Sequence, residues 1–323
     1  MSSDGIHAAD AAPLVVPRLG LGTMTFGDSV DSSGARGLVA QALDAGAVMI
    51  DTANVYSSGQ SETILGEVLP GIRDRVVLAT KVGIPTSGED TTPLAGERIR
   101  SECEGSLRRL GTDHIDLYYL HQPDRATPFE ESLVAVAALI AEGKVRAWGV
   151  SNFAAWQIAE LRHVAEGLGM PALAVAQQQY NLLARRIEDE YAEFAHAAGV
   201  GTVVYNPLAG GMLTGKHLGA TAPDEGRFSS PAYRGRYWNP QMHAAVDRLS
   251  ALARERHLTL VQLALRWLFA GDIATSVLLG ASRPEHLAEN LAAVSDEALD
   301  AQALEACDAV WAGLRGVAPA YNR

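Results

Sequence analysis

Short apolar runs rich in β-branched and aromatic residues recur eight times along this chain, separated by stretches with the amphipathic period of a helix. The runs are LGLGTM (19–24), AVMIDTA (47–53), RVVLATKV (75–82), IDLYYLH (115–121), VRAWGVSN (145–152), LAVAQQQY (173–180), GTVVYNP (201–207) and SVLLGAS (276–282). Helical stretches cover 33–46, 61–69, 97–111, 130–143, 154–167 and 187–199, and several end in a glycine suited to a left-handed cap. Asp31 with Ser32, and Ser61 with Glu62, supply polar helix starts. Strands that alternate with helices pair in parallel, because the crossover helix joins parallel neighbours. Near-continuous apolar strands imply cover on both faces. Eight such units predict an α/β fold, a (β/α)8 TIM barrel with a long loop and extra helices before the last strand.

The 323 residues fit one such domain, with 1–16 expected to form a flexible N-terminus. A net charge of −12 argues against nucleic acid as a partner, since phosphate backbones need a surplus of Lys and Arg. Cys103 and Cys307 are too few for a disulfide framework and show no metal-type spacing, so no metal site is expected. The N-terminus lacks a basic segment followed by a long apolar run, and the longest apolar stretch, 133–141, falls short of the ~20 residues of a membrane span. A cytoplasmic protein without membrane contact is the expectation.

The polar residues of the runs fall at their ends. Asp51 follows VMI, Lys81 follows VVLAT, His121 follows DLYYL, Ser151 and Asn152 follow AWGV, Gln177 follows LAVA, Tyr205 and Asn206 follow GTVV, and Ser282 follows SVLLGA. In a parallel barrel all these ends meet at one rim, where such folds keep their chemistry. A lysine at a strand end inside a barrel must pair with an anion or lose its charge, and Asp51 is an available anion. Tyr56 follows in the loop DTANVY. An adjacent ammonium is expected to lower the phenol's pKa and make it a usable acid. His121 would then orient a substrate oxygen, so the set suits a carbonyl that takes a proton on oxygen while another group attacks carbon. Each residue also has a structural reading: Asp51 as a helix cap or ion-pair partner, Tyr56 as a loop aromatic, His121 as a buried donor.

Two glycine-rich segments mimic nucleotide motifs. GLGTMTFG (20–27) lacks the third glycine of a dinucleotide fingerprint, because Thr25 stands there. GGMLTGKH (210–217) carries His217 where a nucleoside-triphosphatase needs Ser or Thr. A glycine loop with Lys216 after the seventh strand still suits a phosphate, as does GASRPEHLAEN (280–290) after the eighth. There Ser282 and Arg283 precede Pro284 at a helix start, with Glu289 and Asn290 two turns in, near an adenine. Two phosphate loops point to a dinucleotide, and Arg283 to one bearing a 2′-phosphate. Residues 217–240 read as an ordered substrate or cofactor loop over the mouth, since Phe228, Tyr233, Tyr237 and Trp238 are too aromatic for a disordered linker.

With these segments in view, the chain resembles the aldo-keto reductases over its whole length. DTANVYSSGQSETILG, ATKVG and LYYLHQPD match the family's catalytic segments, and GVSNF, QQQYNLL, YNPLAGGMLTGK and GASRPEHLAEN its cofactor segments. SNFAAW, RGRYW and APAYNR are most like the aflatoxin-aldehyde and succinic-semialdehyde reductase branch. The resemblance implies Tyr56 as proton donor, Lys81 and Asp51 tuning it, and His121 orienting the carbonyl. It implies NADP(H), with Ser151, Asn152 and Gln177 on the nicotinamide carboxamide and Tyr205 and Asn206 beside the ring. Leu208, Gly210 and Lys216 would line the pyrophosphate, and Gly280, Ser282, Arg283, Glu289 and Asn290 the adenosine end. Arg236 and Arg323 match positions that look like carboxylate contacts, so an acidic aldehyde is one expected substrate; surface or dimer-interface ion pairs are the other reading. The branch tends to form homodimers. Two other functions stay open: a Schiff-base lyase or aldolase using Lys81, and a non-catalytic NADPH-binding regulatory subunit.

Overall fold

The computed structural model describes residues 14–85, 91–219, 226–294 and 298–317. Its eight strands are β1 (Leu19–Gly22), β2 (Met49–Asp51), β3 (Val77–Val82), β4 (Ile115–Leu120), β5 (Val145–Ser151), β6 (Val175–Gln179), β7 (Gly201–Tyr205) and β8 (Ser276–Gly280). Each lies parallel to its sequence neighbour, and β8 closes on β1 with Leu19 opposite Val277. Every predicted strand is present, one to four residues shorter than its apolar run, with β2 shortened most.

Helices α1 (Ser32–Asp44), α2 (Gln60–Val68), α3 (Gly96–Leu110), α4 (Phe129–Ala141), α5 (Ala155–Gly167) and α6 (Tyr191–Ala198) follow the first six strands. Between β7 and β8 come α7 (Pro231–Tyr237), α8 (Pro240–Glu255) and α9 (Leu260–Ala270). After β8 come α10 (Pro284–Ala293) and α11 (Ala301–Arg315). The alternation of units gave no reason to expect α11. Its signal was local: Asp300 caps it by accepting from the Ala303 amide at 2.7 Å, and Ala303, Cys307, Val310 and Trp311 make its buried face at helical spacing. Asp31 caps α1 as expected, accepting from the Gly34 amide at 2.8 Å. Ser61 does not cap α2. That helix begins at Gln60 behind Gly59 (φ +89°), so Ser61 and Glu62 already lie in its first turn and turn inward, both fully buried.

The core has two layers. Apolar helix faces pack on the outside of the strands, while Met49, Ala79, Leu117, Tyr119, Val175, Val203 and Leu278 fill the barrel interior. Side chains alternate across a strand, so the residue two places on points inward one layer higher. That step carries Met49 to Asp51, Ala79 to Lys81, Tyr119 to His121, Val175 to Gln177 and Val203 to Tyr205. The strand period therefore sets an apolar plug beneath a polar ring at the C-terminal mouth. Among the described residues no helix is long and apolar enough to cross a membrane.

Two helical glycines test the packing of the outer layer. A Cβ at Gly66 in α2 would lie 2.3 Å from the Arg109 carbonyl oxygen of α3, whereas at Gly37 in α1 it would meet nothing within 4 Å. Gly37→Ala should stabilise the protein by about 0.5–1 kcal/mol through helix propensity. Gly66→Ala should destabilise it by about 1–3 kcal/mol, because overpacking against backbone outweighs that gain. Denaturant unfolding of the two variants should give shifts of opposite sign.

Candidate active site

Lys81 is the centre of the polar ring and has no exposure to solvent. Its Nζ donates to Asp51 Oδ1 at 2.5 Å, to the Thr52 carbonyl at 2.6 Å and to Tyr56 Oη at 3.3 Å. All three ammonium protons are thereby used. Burial by itself would strip the proton from Lys81, but the Asp51 carboxylate and then Tyr56 more than restore it, and its pKa lies above the ordinary lysine value. Asp51 is held from the other side by Gln177, whose Nε2 donates to Oδ2 at 2.8 Å. Gln177, expected on a ligand carboxamide, thus spends one amide proton on the ion pair.

Tyr56 does not follow the expected direction. Burial raises its pKa above the usual phenol value; the Lys81 ammonium pulls it down, but not far enough to offset the burial. In this environment the phenol is firmly protonated at neutral pH. His121 sits edge-on to the Tyr56 ring, with centroids 6.0 Å apart. Burial, and then the Lys81 charge, hold its pKa well below the ordinary imidazole value, so the ring is neutral. Its Nδ1 is enclosed without a partner, which leaves Nε2 as the nitrogen able to address a ligand.

Around this tetrad the rim is stitched by amides. Asn152 (φ +65°) donates from Nδ2 to the His121 carbonyl at 2.9 Å and to Ser151 Oγ at 3.0 Å, and accepts from Tyr205 Oη at 2.7 Å. Ser151, Asn152, Gln177 and Tyr205 therefore form one arc of the mouth. Asn206 (φ +60°) is committed internally: Oδ1 accepts from the Gly210 amide at 2.6 Å and Nδ2 donates to Tyr237 Oη at 2.9 Å. Through these bonds it shapes the loop after β7. Leu208 belongs to that loop, and Gly210 (φ +67°) lies under Tyr233, whose ring a Cβ would approach to 2.8 Å. Lys216 is exposed at the loop's end.

The loop after β8 lies beside it. Gly280, Arg283 and Glu289 are exposed, Ser282 is half-buried, and Asn290 is buried and donates to the Gly280 carbonyl at 3.2 Å. Lys216 and Arg283 have no carboxylate partner among the described residues. Over the mouth, the guanidinium groups of Arg227 and Arg236 approach the Tyr233 ring at 5.5 and 5.6 Å. Arg323 lies outside the described residues. Of the six non-glycine residues with positive φ among the described residues, Ser57, Ser58, Asn152, Asn206 and Ala209 all follow strand ends at this mouth, where strained backbone tends to gather.

Several residues here were not expected at this site from the sequence. Tyr237, fully buried, accepts on Oη from Gln179 at 2.5 Å, Asn206 at 2.9 Å and Asn181 at 3.1 Å, joining α7 to the ends of β6 and β7. Thr23, Thr52, Ser61, Glu62, Thr80 and Arg109 form a buried polar layer behind Tyr56. The paired amides of QQQYN were a readable signal for the first group. Nothing in the sequence distinguished the second from ordinary helix-end polarity.

Comparison with known proteins agrees with this geometry. A model described as the Aldo/keto reductase family matches residues 18–312. Aflatoxin B1 aldehyde reductase member 2 of Mus musculus is 36% identical, over 98% of this chain and 90% of that protein. Aldo-keto reductase family 7 member A3 of Homo sapiens is 35% identical, over 95% and 97%. A probable voltage-gated potassium channel subunit beta of Oryza sativa subsp. japonica is 33% identical, over 84% and 85%.

The neutral, buried state of His121 makes stability depend on pH. Its pKa is depressed in the fold, so its contribution is complete above the unfolded imidazole value of about 6.5 and is lost as pH falls below it. Unfolding free energy should drop below pH 6.5 by up to about 1.4 kcal/mol per pH unit, and His121→Asn should flatten that slope. Half-buried His217, also depressed by burial, should leave a smaller residual slope of the same sign.

Proposed function

The chain belongs to the aldo/keto reductase family, and we propose that it is an NADPH-dependent oxidoreductase that reduces aldehydes or ketones to alcohols, with Tyr56 giving the proton. Membership makes it an oxidoreductase of small carbonyl compounds. The observation that carries the finer reading is the phenol hydroxyl 3.3 Å from a buried ammonium at the barrel mouth.

The donor set of the rim fits a phosphorylated dinucleotide. Lys216 and Arg283 are exposed cations without carboxylate partners among the described residues, and at Gly280 a Cβ would meet nothing within 4 Å, so the end of β8 is open to a ligand. When bound, NADPH supplies a hydride to the carbonyl carbon. Ser151, Asn152 and Gln177 would hold its carboxamide and Tyr205 would stack on its ring. Leu208, Gly210 and Lys216 would lie along the pyrophosphate. Gly280, Ser282, Arg283, Glu289 and Asn290 would take the adenosine and its 2′-phosphate. Asn206 contributes through the shape of the loop.

The chain's own residues then divide the proton chemistry. Tyr56 is protonated at neutral pH and can act as the acid. Lys81 stabilises the phenolate as the proton leaves, and Asp51 keeps Lys81 charged. Neutral His121 donates from Nε2 to the carbonyl oxygen and fixes the trajectory. Arg236, with Arg227 beside it, supports a preference for acidic carbonyl substrates, since neither has a carboxylate partner among the described residues. The burial of Lys81 and His121 limits water around the forming alkoxide.

Schiff-base chemistry at Lys81 is poorly supported. A nucleophilic amine needs a free lone pair, and this nitrogen is held protonated by Asp51 with every N–H bonded. The rice relative's name favours a second reading, a regulatory subunit that binds NADPH without turnover.

A panel of acidic and neutral aldehydes and ketones, with NADPH and NADH in parallel, separates these readings. The wild type should oxidise NADPH with some member of the panel, and Tyr56→Phe should cut kcat by about 10²- to 10⁴-fold while still binding NADPH. Tight NADPH binding with no turnover across the panel would select the regulatory reading. Arg283→Ala should weaken NADPH binding by roughly tenfold or more and leave NADH binding unchanged, because only the former has a 2′-phosphate to lose.

A further inference from the structure

The segment carrying Tyr56 is anchored by two consecutive buried side chains, Ser61 and Glu62, neither exposed at all. Ser57 (φ +48°), Ser58 (+55°) and Gly59 (+89°) are three successive left-handed residues. Such a backbone persists only where its surroundings over-determine it. Ser61 Oγ donates to the Thr23 carbonyl at 2.9 Å and lies 2.9 Å from Thr52 Oγ1 and 3.0 Å from Thr23 Oγ1. It thereby grips the residue whose carbonyl receives the Lys81 ammonium.

Glu62 grips the other strand. Its Oε1 accepts from Thr80 Oγ1 at 2.5 Å and its Oε2 from Arg109 Nε at 2.7 Å. Side chains alternate along β3, so Lys81 enters the barrel while Thr80 faces α2. The Arg109 side chain also runs under Gly59, where a Cβ would lie 3.1 Å from Cδ. One carboxylate therefore ties together the strand bearing the ammonium, helix α3 and the end of the Tyr56 segment. An apolar residue would occupy this buried position at lower desolvation cost, so what the acid adds here is defined geometry.

We propose that Glu62, acting through Thr80 and Arg109, is a positioning residue that sets the Tyr56 hydroxyl against the Lys81 ammonium. Its effect on turnover rests on the reductase reading above; its effect on geometry does not. Thr80→Val keeps the shape and removes the hydroxyl donated to Glu62, while Thr80→Ser keeps the hydroxyl. With 13Cζ-labelled tyrosine, the Tyr56 resonance, assigned by its absence in Tyr56→Phe, should move in Thr80→Val and stay in place in Thr80→Ser. Thr80→Val should also lower kcat by about 10- to 100-fold, the range expected for an error of about 1 Å in a reacting group, with NADPH affinity unchanged. Its alkaline pH limb should move upward as the phenol loses the ammonium, and Thr80→Ser should restore both.

If Thr80→Val does not fold, Arg109→Lys keeps the charge at a partly exposed position and loses the Nε geometry, and the same shift and kcat loss are expected of it. A Tyr56 resonance at its wild-type position in the folded variant overturns the inference, whatever the activity. A wild type that oxidises no NADPH over the carbonyl panel overturns the reductase reading instead, and the resonance still decides the positioning role.

Discussion

A positive charge with no access to water lies at the mouth of this barrel. Removing an ammonium from solvent costs several kcal/mol even after relaxation. A single fully buried aliphatic side chain of the surrounding core returns only about 1.5–3 kcal/mol. Lys81 persists because Asp51, the Thr52 carbonyl and the Tyr56 hydroxyl accept its three protons, and because Gln177 holds the second oxygen of Asp51. The strand ends, the Tyr56 loop and the arc of amides are arranged around that one requirement. The chemistry follows from it, since a charge kept in a dry site acts on a neighbouring phenol far more strongly than it would in water.

The barrel was legible because short, near-continuous apolar runs alternate eight times with stretches of helical period, the pattern of parallel strands covered on both faces. The positions of Asp51, Lys81, His121 and Gln177 were legible because each ends an apolar run, and Tyr56 because it follows the second run in the loop DTANVY. The direction of the Tyr56 pKa was not legible, because it depends on the balance between burial and one ammonium, and a sequence reports only the ammonium. Ser61 and Glu62 looked like the opening of a helix. One residue's difference in where α2 starts turned them from solvent toward the strands, and boundaries at that scale depend on tertiary packing. Asn206 was correctly placed at the rim, yet both ends of its amide are used by the chain itself.

The relatives fit the division between barrel and loops. The mouse and human proteins align over nearly their whole length, and the rice protein over most of it, at about one residue in three. A fold can keep its strand ends and vary its loops at that distance, because the loops contribute little to the interior.

The segment between β7 and β8 meets the barrel through the hydroxyl of Tyr237, which receives amides from the ends of β6 and β7. A cover seated on the strand ends through such a joint can vary elsewhere along its length and still meet the barrel in the same orientation. Lineages of this architecture could therefore exchange the cover as a cassette, leaving the buried Asp51–Lys81–Tyr56 cluster untouched beneath it.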